Sequence, residues 1–188
     1  MKPQPLANGF CFGEGPRWFY FYETESLDVL QSPAYLERLG NPTPWTQRCM
    51  PYVCNNRRTA CRVSATLGRG LGGILSVLDV GPAPGQADRL RRWLIETALP
   101  AALAQSGMVA AHLGEADAAA TTVRSGEKTL LQTPDAMVRW IVMLEGVDPD
   151  LLAAASVGAL ADAALTAAGA DGDVSRQLYQ LNFTMARS

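Results

Sequence analysis

His112 is the chain's single histidine, and histidine is the side chain best suited to take up and release a proton near neutral pH. Any acid–base mechanism would use it first, and we predict it as the catalytic residue. Alternation along a strand places it on one face with Met108, Ala110 and Gly114, which leave room for a ligand beside the imidazole. The alternative is that His112 is a hydrogen-bonded or surface residue of the strand and takes no part in any reaction.

Aromatic side chains recur at every second position of the segment RWFYFYE, so that Trp18, Tyr20 and Tyr22 share one face of a predicted strand. Phe19 and Phe21 lie on the other face. Two phenols and an indole offer flat apolar walls with polar tips, which suit an aromatic or polyketide-like ligand. We predict the first three as substrate-binding residues, with packing in the core as the alternative role.

Polar residues alternate with apolar ones on two further predicted strands. Arg62, Ser64 and Thr66 share a face of the first, and Gln180 and Asn182 share a face of the second. If both faces look into one chamber, Arg62, Gln180 and Asn182 bind the substrate. Asn182 would then act with the two tyrosines to orient the substrate or stabilise an oxyanion. Two faces turned towards solvent would give the same pattern.

Residues 68–73 satisfy the G-x-G-x-x-G pattern of dinucleotide sites. The residues that follow, ILSVLDV, favour a strand, whereas a dinucleotide site needs a helix whose N-terminus faces the pyrophosphate. We therefore predict a flexible connection here and no binding of nicotinamide or flavin cofactors.

The four cysteines lack the paired spacing of zinc sites, and one histidine leaves few nitrogen ligands, so we predict no metal site. With no dinucleotide site either, we predict no cofactor.

The composition is that of an ordinary globular protein. Its 188 residues are enough to bury a core without disulfides, 48% are hydrophobic, 18% are charged and the net charge is −2. Such a surface repels phosphate backbones, so we expect no nucleic acid partner. The first ten residues hold no long apolar run, and we expect a cytoplasmic protein with reduced cysteines. Residues 151–168 carry Asp162 and lack basic or aromatic anchors, which favours a buried helix over a membrane span.

The elements that position these residues follow from periodicity and from the placing of proline and glycine. We predict strands at residues 17–23, 58–67, 73–80, 108–115, 138–145 and 176–185. We predict helices at 26–35 after a Ser26 cap, at 86–105 with a kink at Pro100, and at 148–168, with a loop at 40–56 and a polar insertion at 117–133. From residue 73 onward, the order strand, helix, strand, strand, helix, strand is the ferredoxin-like plan.

Four residues recur at one spacing in two strand–helix contexts. The set Arg17, Trp18, Glu23 and Leu30 returns 122 positions later as Arg139, Trp140, Glu145 and Leu152. The repeat predicts a duplicated unit. Residues 1–70 would form an incomplete first ferredoxin-like half and residues 71–188 a complete second half, together one compact unit around a cavity of small-molecule size.

Several short strings resemble the dimeric α/β-barrel superfamily: GF followed by PRWFYFYE, then SPAY, NPTPW and GRGLGG. That superfamily includes antibiotic-biosynthesis monooxygenase-like and EthD-like proteins, and the strings are similar to a bacterial branch of it. The resemblance implies an α+β fold of ferredoxin-like antiparallel sheets with helices on one face, in duplicated halves of which the first lacks one strand–helix unit.

The same resemblance implies a cofactor-independent oxygenase, isomerase or decarboxylase that acts on a small apolar or aromatic substrate. The alternative is a non-catalytic ligand-binding or assembly protein whose cavity is filled by side chains.

The absent unit would leave the strands at 17–23 and 58–67 with unpaired backbone groups. Either the two strands move together within one chain, or the edge of a second chain completes the sheet. We expect a homodimer, because the aromatic strand offers apolar area suited to an interface. The expected partners are a small-molecule ligand and a second copy, with no nucleic acid and no membrane.

Overall fold

A computed structural model describes residues 7–11, 18–53, 56–121 and 139–184. The strands in this part of the chain are β1 (Ala7–Cys11), β2 (Trp18–Phe21), β3 (Cys61–Gly68), β4 (Ile74–Val80), β5 (Met108–Ala116), β6 (Trp140–Gly146) and β7 (Ser175–Phe183). They form one seven-stranded sheet in the order β2-β1-β7-β4-β6-β5-β3, in which every neighbouring pair is antiparallel.

The four strands that follow residue 73 form the centre of the sheet. Their order, β7-β4-β6-β5, is that of the split β-α-β plan, so the predicted ferredoxin-like fold is confirmed. β4 lies between two neighbours, and all seven of its residues are buried. A short apolar run of this kind is typical of a strand with both faces covered.

Helices cover one side of the sheet, which we call the helix face. The helices are α1 (Pro33–Gly40), α2 (Pro44–Cys49), α3 (Ala87–Trp93), α4 (Leu99–Leu103), α5 (Ala118–Thr121), α6 (Pro149–Gly158) and α7 (Asp162–Ala168). Leucines of α3, α6 and α7, namely Leu90, Leu152 and Leu165, are fully buried in one cluster with Leu78 and Leu144 of the sheet. Burial of each such side chain contributes roughly 1.5–3 kcal/mol.

The other side of the sheet, which we call the far face, carries a smaller apolar cluster. Leu75, Val77 and Tyr179 form it, and Phe19 and Met143 pack against them. These residues alternate along their strands with those of the helix face, as the pleat of a strand requires. The two faces are therefore separate environments, and a residue's position in its strand decides which one it joins.

The long helix predicted at 86–105 is present but irregular. A π-helical turn, Leu94–Ala98, joins α3 to α4 immediately before Pro100. Proline has no amide hydrogen, and its ring crowds the carbonyl four residues earlier, which is that of Glu96. A wider turn relieves this conflict without ending the helix.

The alanine-rich stretch is predicted as one helix but forms two. Asp148 caps α6 as expected, since its carboxylate accepts the amide hydrogens of the first turn. The chain then breaks after α6, where Arg176 of β7 donates to the Leu160 carbonyl and pairs with Asp162. Among the described residues, no single helix is long and apolar enough to cross a membrane, and α6 and α7 reach that length only as a pair bent by 41°.

Prolines begin helices in the N-terminal region where a loop is predicted. Pro44 opens α2 after Thr43, whose hydroxyl caps the helix. The loop prediction for residues 40–56 is wrong here, because the first helical turn tolerates a residue without an amide hydrogen. Ser32, and not Ser26, caps α1. Most of the insertion predicted at 117–133 lies outside the described residues.

The N-terminal strands join the same sheet at its two edges. β2 lies at one edge and β3 at the other, so these two strands do not pair with each other. β1 lies between β2 and β7, in a segment for which the sequence predicts no strand. The division into a first and a second half stays a prediction.

Candidate functional site

A line of hydrogen-bonded groups crosses the far face at β3, β5 and β6. Thr66 Oγ1 lies 3.2 Å from His112 Nδ1, and His112 Nε2 lies 3.2 Å from Glu145 Oε1. The Gly72 amide donates to Glu145 Oε2 at 2.7 Å. The Glu145 side chain is only 7% exposed and that of His112 16%. A hydroxyl, an imidazole and a buried carboxylate in this order are the parts of a proton relay.

The sheet register places these groups side by side. Thr66 of β3 pairs directly with His112 of β5, which pairs directly with Met143 of β6. Glu145 lies two residues beyond Met143 and therefore on the same face. Side chains at such diagonal positions are within reach of each other, so backbone pairing alone brings His112 to Glu145.

The partners of Glu145 determine the direction of the relay. Its Oε2 accepts the Gly72 amide hydrogen, and as a carboxylate its Oε1 accepts the hydrogen of His112 Nε2. Nδ1 is then the unprotonated ring nitrogen and accepts the hydroxyl hydrogen of Thr66. The imidazole can take that proton, or the proton of a ligand group that replaces Thr66, while Glu145 stabilises the imidazolium. Thr66 is exposed, so this end of the relay is open to a ligand.

The glycine run at residues 68–73 holds the carboxylate of the relay. A Cβ on Gly72 would lie 2.6 Å from the Gly146 amide nitrogen, so only glycine lets the loop approach β6 closely enough to donate to Glu145. Gly68, at the end of β3, has a φ of +83°, which other residues rarely adopt. The run that the sequence presents as a connection therefore also contacts the candidate site.

Glu145 is a site residue that sequence reasoning missed. Alternation along β6 places it with Ile141 and Met143, and a carboxylate on an otherwise apolar face needs a partner. That alternation was the available signal. The register that sets β5 beside β6 and supplies His112 as the partner cannot be read from either strand alone.

A β-bulge in β3 separates residues that the sequence places on one face. The pairing with β5 shifts at Ser64, which is the extra residue. The alternation changes phase there, so Thr66 lies beside His112 on the far face, while Arg62 pairs with Glu115 on the helix face. The predicted set of polar residues on this strand is therefore divided between the two faces.

Arg62 and Ser64 belong to a polar cluster on the helix face. Arg91 of α3 donates two hydrogen bonds to Glu115, at 2.6 and 2.5 Å, and Ser64 donates to the same carboxylate. Burial alone would raise the pKa of Glu115, but the hydrogen bonds from Arg91 and Ser64 and the charges of Arg91 and Arg62 lower it below its ordinary value. These contacts fasten α3 to the sheet, on the opposite side from His112.

The aromatic residues predicted to bind substrate are not brought to His112. Trp18 and Tyr20 are 58% and 55% exposed and lie opposite Phe19, whose ring packs 5.4 Å from Tyr179 on the far face. Four strands separate β2 from β5 in the sheet. The side of β2 that joins the far face is therefore the one that bears Phe19.

The remaining predicted binding residues also lie elsewhere. Tyr22 follows β2 and hydrogen-bonds through its hydroxyl to that of Tyr35, and burial together with this bond raises the pKa of Tyr22. Gln180 is exposed and pairs with Ile74 of the helix-face cluster. Asn182 is exposed near the end of β7. Of the predicted site residues, His112 alone lies in the relay.

The surface beside the relay is apolar. Val77 and Met143, which pair across β4 and β6, lie in the same row of the far face as His112.

Burial raises the pKa of the Cys61 thiol to about 11, so this thiol is protonated at neutral pH and is a poor nucleophile. Within the described ranges, no group of three His, Cys, Asp or Glu side chains is placed to hold a metal ion. The arrangement suits proton transfer on an apolar ligand.

Comparisons with known proteins give structural neighbours only. No family model matches the sequence, and no curated protein matches it. An anthrone oxidase-like protein superposes with a TM-score of 0.64 and 12% identity, over 99% of this chain and 79% of its own. Two structures named "putative monooxygenase" also match: that from Fusobacterium nucleatum has a TM-score of 0.57 and 10% identity over 100% of this chain and 80% of its own, and that from Lactobacillus acidophilus has 0.53 and 6% over 100% and 83%.

These likenesses identify the class of fold. The chain shares a ferredoxin-like α+β fold with these three proteins, which is the fold that the resemblance to the dimeric α/β-barrel superfamily implied. At 6–12% identity the fold is what is shared, and activity has to be argued from the site itself.

Proposed function

We propose that the far face binds a small apolar or aromatic molecule and that His112 transfers a proton on it, in a cofactor-independent enzyme of oxygenase, isomerase or decarboxylase type. The observation that carries the proposal is the relay of Thr66, His112 and Glu145 beside the apolar side chains of β4 and β6. Among the three types, an oxygenase is favoured by the structural neighbours, one named anthrone oxidase-like and two named putative monooxygenase.

The chemistry assigned to the relay is one proton transfer. His112 Nδ1 takes a proton from an acidic C–H or O–H group, and the bonding electron pair stays on the ligand as an anion. Glu145 stabilises the imidazolium, and the apolar neighbours keep water from competing for the proton. An isomerase would return the proton to another atom, whereas an oxygenase would let the anion react with O2 as the second substrate.

A binding screen tests the proposal. Purified protein is screened against a small-molecule collection without prior selection, and each hit is titrated against the wild type, His112→Ala and Glu96→Ala. Glu96 is exposed on the π-helical turn before α4 and serves as the matched control. We expect aromatic hits that His112→Ala weakens about tenfold, the value of roughly one hydrogen bond. Hits that bind His112→Ala as tightly as the wild type would contradict the proposal.

One observation favours a second candidate, a non-catalytic binding or assembly protein. Tyr179 is 2% exposed and Val77 6%, and Phe19 packs against Tyr179, so side chains already fill the far face at β4 and β7. The same screen separates the candidates, because a filled face yields no hits that depend on His112.

A further inference from the structure

Two buried polar atoms on the far face have no hydrogen-bond partner among the described residues. They are Asp79 Oδ1, at the end of β4, and Ser175 Oγ, at the start of β7. Asp79 and Ser175 pair directly across the two strands, so their side chains are neighbours on one face. Asp79 is 7% exposed. Buried polar groups are almost always satisfied, and two adjacent exceptions point to a missing group between them.

Asp79 belongs to a cluster of charged side chains, which restricts the kind of group that fits. Arg139 Nε lies 3.4 Å from Asp79 Oδ1 and Arg57 lies 3.4 Å from Oδ2, although Oδ1 receives no hydrogen bond. Arg139 also pairs with Asp171 and Asp173, so the cluster holds two guanidinium groups and three carboxylates. A cation at Oδ1 would lie beside the Arg139 guanidinium, and an anion there would meet the Asp79 carboxylate, so neither is favoured at this atom. A neutral hydroxyl satisfies both atoms, because its hydrogen donates to Asp79 Oδ1 and its oxygen accepts from Ser175 Oγ.

The position of this pair relative to the relay defines the length of a ligand. Two strand spacings and two residues along a strand separate Asp79 from His112, which amounts to about 12 Å between backbones. The side chains between them are Val77, Ile141 and Met143, all apolar. Val77 is buried, whereas Ile141 and Met143 of β6 are only partly buried and would contact the ligand. One molecule with an apolar middle would therefore reach both ends.

We propose that Asp79 and Ser175 form a second subsite of the far face that binds a neutral hydroxyl, and that the ligand is an elongated apolar or aromatic molecule with a hydroxyl at the end remote from His112. The inference rests on the proposed function, since it names the class of molecule that the relay acts on. It also assigns Ser175 a part in specificity that no motif in the sequence indicates.

The test compares 4,4'-dihydroxybiphenyl with 4-hydroxybiphenyl, which lacks the second hydroxyl. We expect the wild type to bind the dihydroxy compound about tenfold more tightly than the monohydroxy compound. Ser175→Ala should reduce this ratio to about threefold, because Asp79 Oδ1 still accepts the hydroxyl hydrogen, while its affinity for the monohydroxy compound stays within about twofold. His112→Ala should weaken both compounds and keep the ratio. A ratio near one in the wild type, or an unchanged ratio in Ser175→Ala, overturns the subsite and leaves the proposed function standing. No binding of either compound overturns both.

A measurement without ligand separates the subsite from a permanently bound water. If Ser175 Oγ lacks a partner in the free protein, Ser175→Ala removes an unsatisfied group and leaves the urea midpoint of unfolding unchanged or raised. A lowered midpoint would show that the hydroxyl is satisfied in the free protein, and would overturn the subsite.

Discussion

Single side chains decide whether the relay works as described. Glu145 is buried between a backbone donor, Gly72, and an imidazole, His112, so both of its oxygens have partners. A buried carboxylate is tolerated when it is hydrogen-bonded in this way. Its role follows from these bonds: it holds the ring and fixes the nitrogen that carries the hydrogen.

The single histidine makes the ring hydrogen directly observable. We expect an NMR signal for a hydrogen on His112 Nε2 that is protected from exchange with water in the wild type, because Glu145 accepts it. In Glu145→Ala the signal should be lost, and the unfolding free energy in urea should fall by about 1–3 kcal/mol because Gly72 loses its acceptor. Glu96→Ala is the control and should change neither. A protected hydrogen on Nδ1 would contradict the relay.

At the scale of elements, two contacts hold the site between its layers: the glycine run against β6 on the far face, and α3 against β5 on the helix face. In the first, the Gly72 amide donates to the carboxylate of Glu145, and in the second, Arg91 of α3 donates to Glu115 of the strand that carries His112. Each can be altered without touching His112.

Neighbouring glycines give a matched pair for the first contact. Alanine at Gly72 would place its Cβ 2.6 Å from the backbone of Gly146, whereas a Cβ at Gly73 meets nothing within 4 Å. We expect Gly72→Ala to lower the unfolding free energy by about 1–3 kcal/mol, and Gly73→Ala to stay within about 0.5 kcal/mol of the wild type. Denaturant titration measures both. Equal effects of the two substitutions would show that the run does not approach β6 closely.

The second contact predicts a dependence of stability on pH. Burial raises the pKa of Glu115, but the hydrogen bonds and charge of Arg91 outweigh it, so that the pKa in the folded protein lies below its ordinary value of 4.5. A lowered pKa contributes stability that is present above the unfolded value and is lost as the pH falls through the folded value. The advantage of the wild type over Glu115→Gln should therefore be constant near neutrality and shrink below about pH 4.5. Urea midpoints across pH measure it, with Glu96→Gln as the control. An advantage that grows in acid would contradict this account.

The sequence predicted those elements whose formation depends on residues close together in the chain. The apolar run of β4 and the Asp148 cap of α6 are confirmed because burial and capping involve neighbouring residues. The bulge at Ser64 could not be predicted, since it exists only in the pairing of β3 with β5. The break at Leu160 likewise depends on Arg176, sixteen positions away. His112 was predicted from its chemistry alone, whereas Glu145 required the register.

At the scale of the whole molecule, both edges of the sheet bear on assembly. β2 and β3 each pair with one neighbour among the described strands. The exposed aromatic side of β2, with Trp18 and Tyr20, is the apolar area that we proposed for an interface. A homodimer in the cytoplasm stays our prediction for the assembled protein.

Light scattering across a concentration series tests the dimer. We expect a particle of twice the chain mass at micromolar concentration, and Tyr20→Lys should lower the dissociation temperature or abolish dimers, because a charge on an edge strand opposes pairing. Tyr52→Lys is the control, since Tyr52 is 84% exposed outside the sheet. A wild type that remains monomeric at high micromolar concentration would contradict the prediction.

The central claim, that His112 moves a proton on a bound molecule, is tested most directly by hydrogen exchange into the ligand. A hit from the binding screen that carries an acidic C–H group is incubated with the protein in D2O, and the loss of its proton NMR signal is followed with time. General base catalysis contributes about 10²–10⁴-fold, so we expect the wild type to exchange the ligand faster than His112→Ala by at least that lower factor. Binding at the far face with equal exchange rates for the wild type, His112→Ala and buffer would contradict the account.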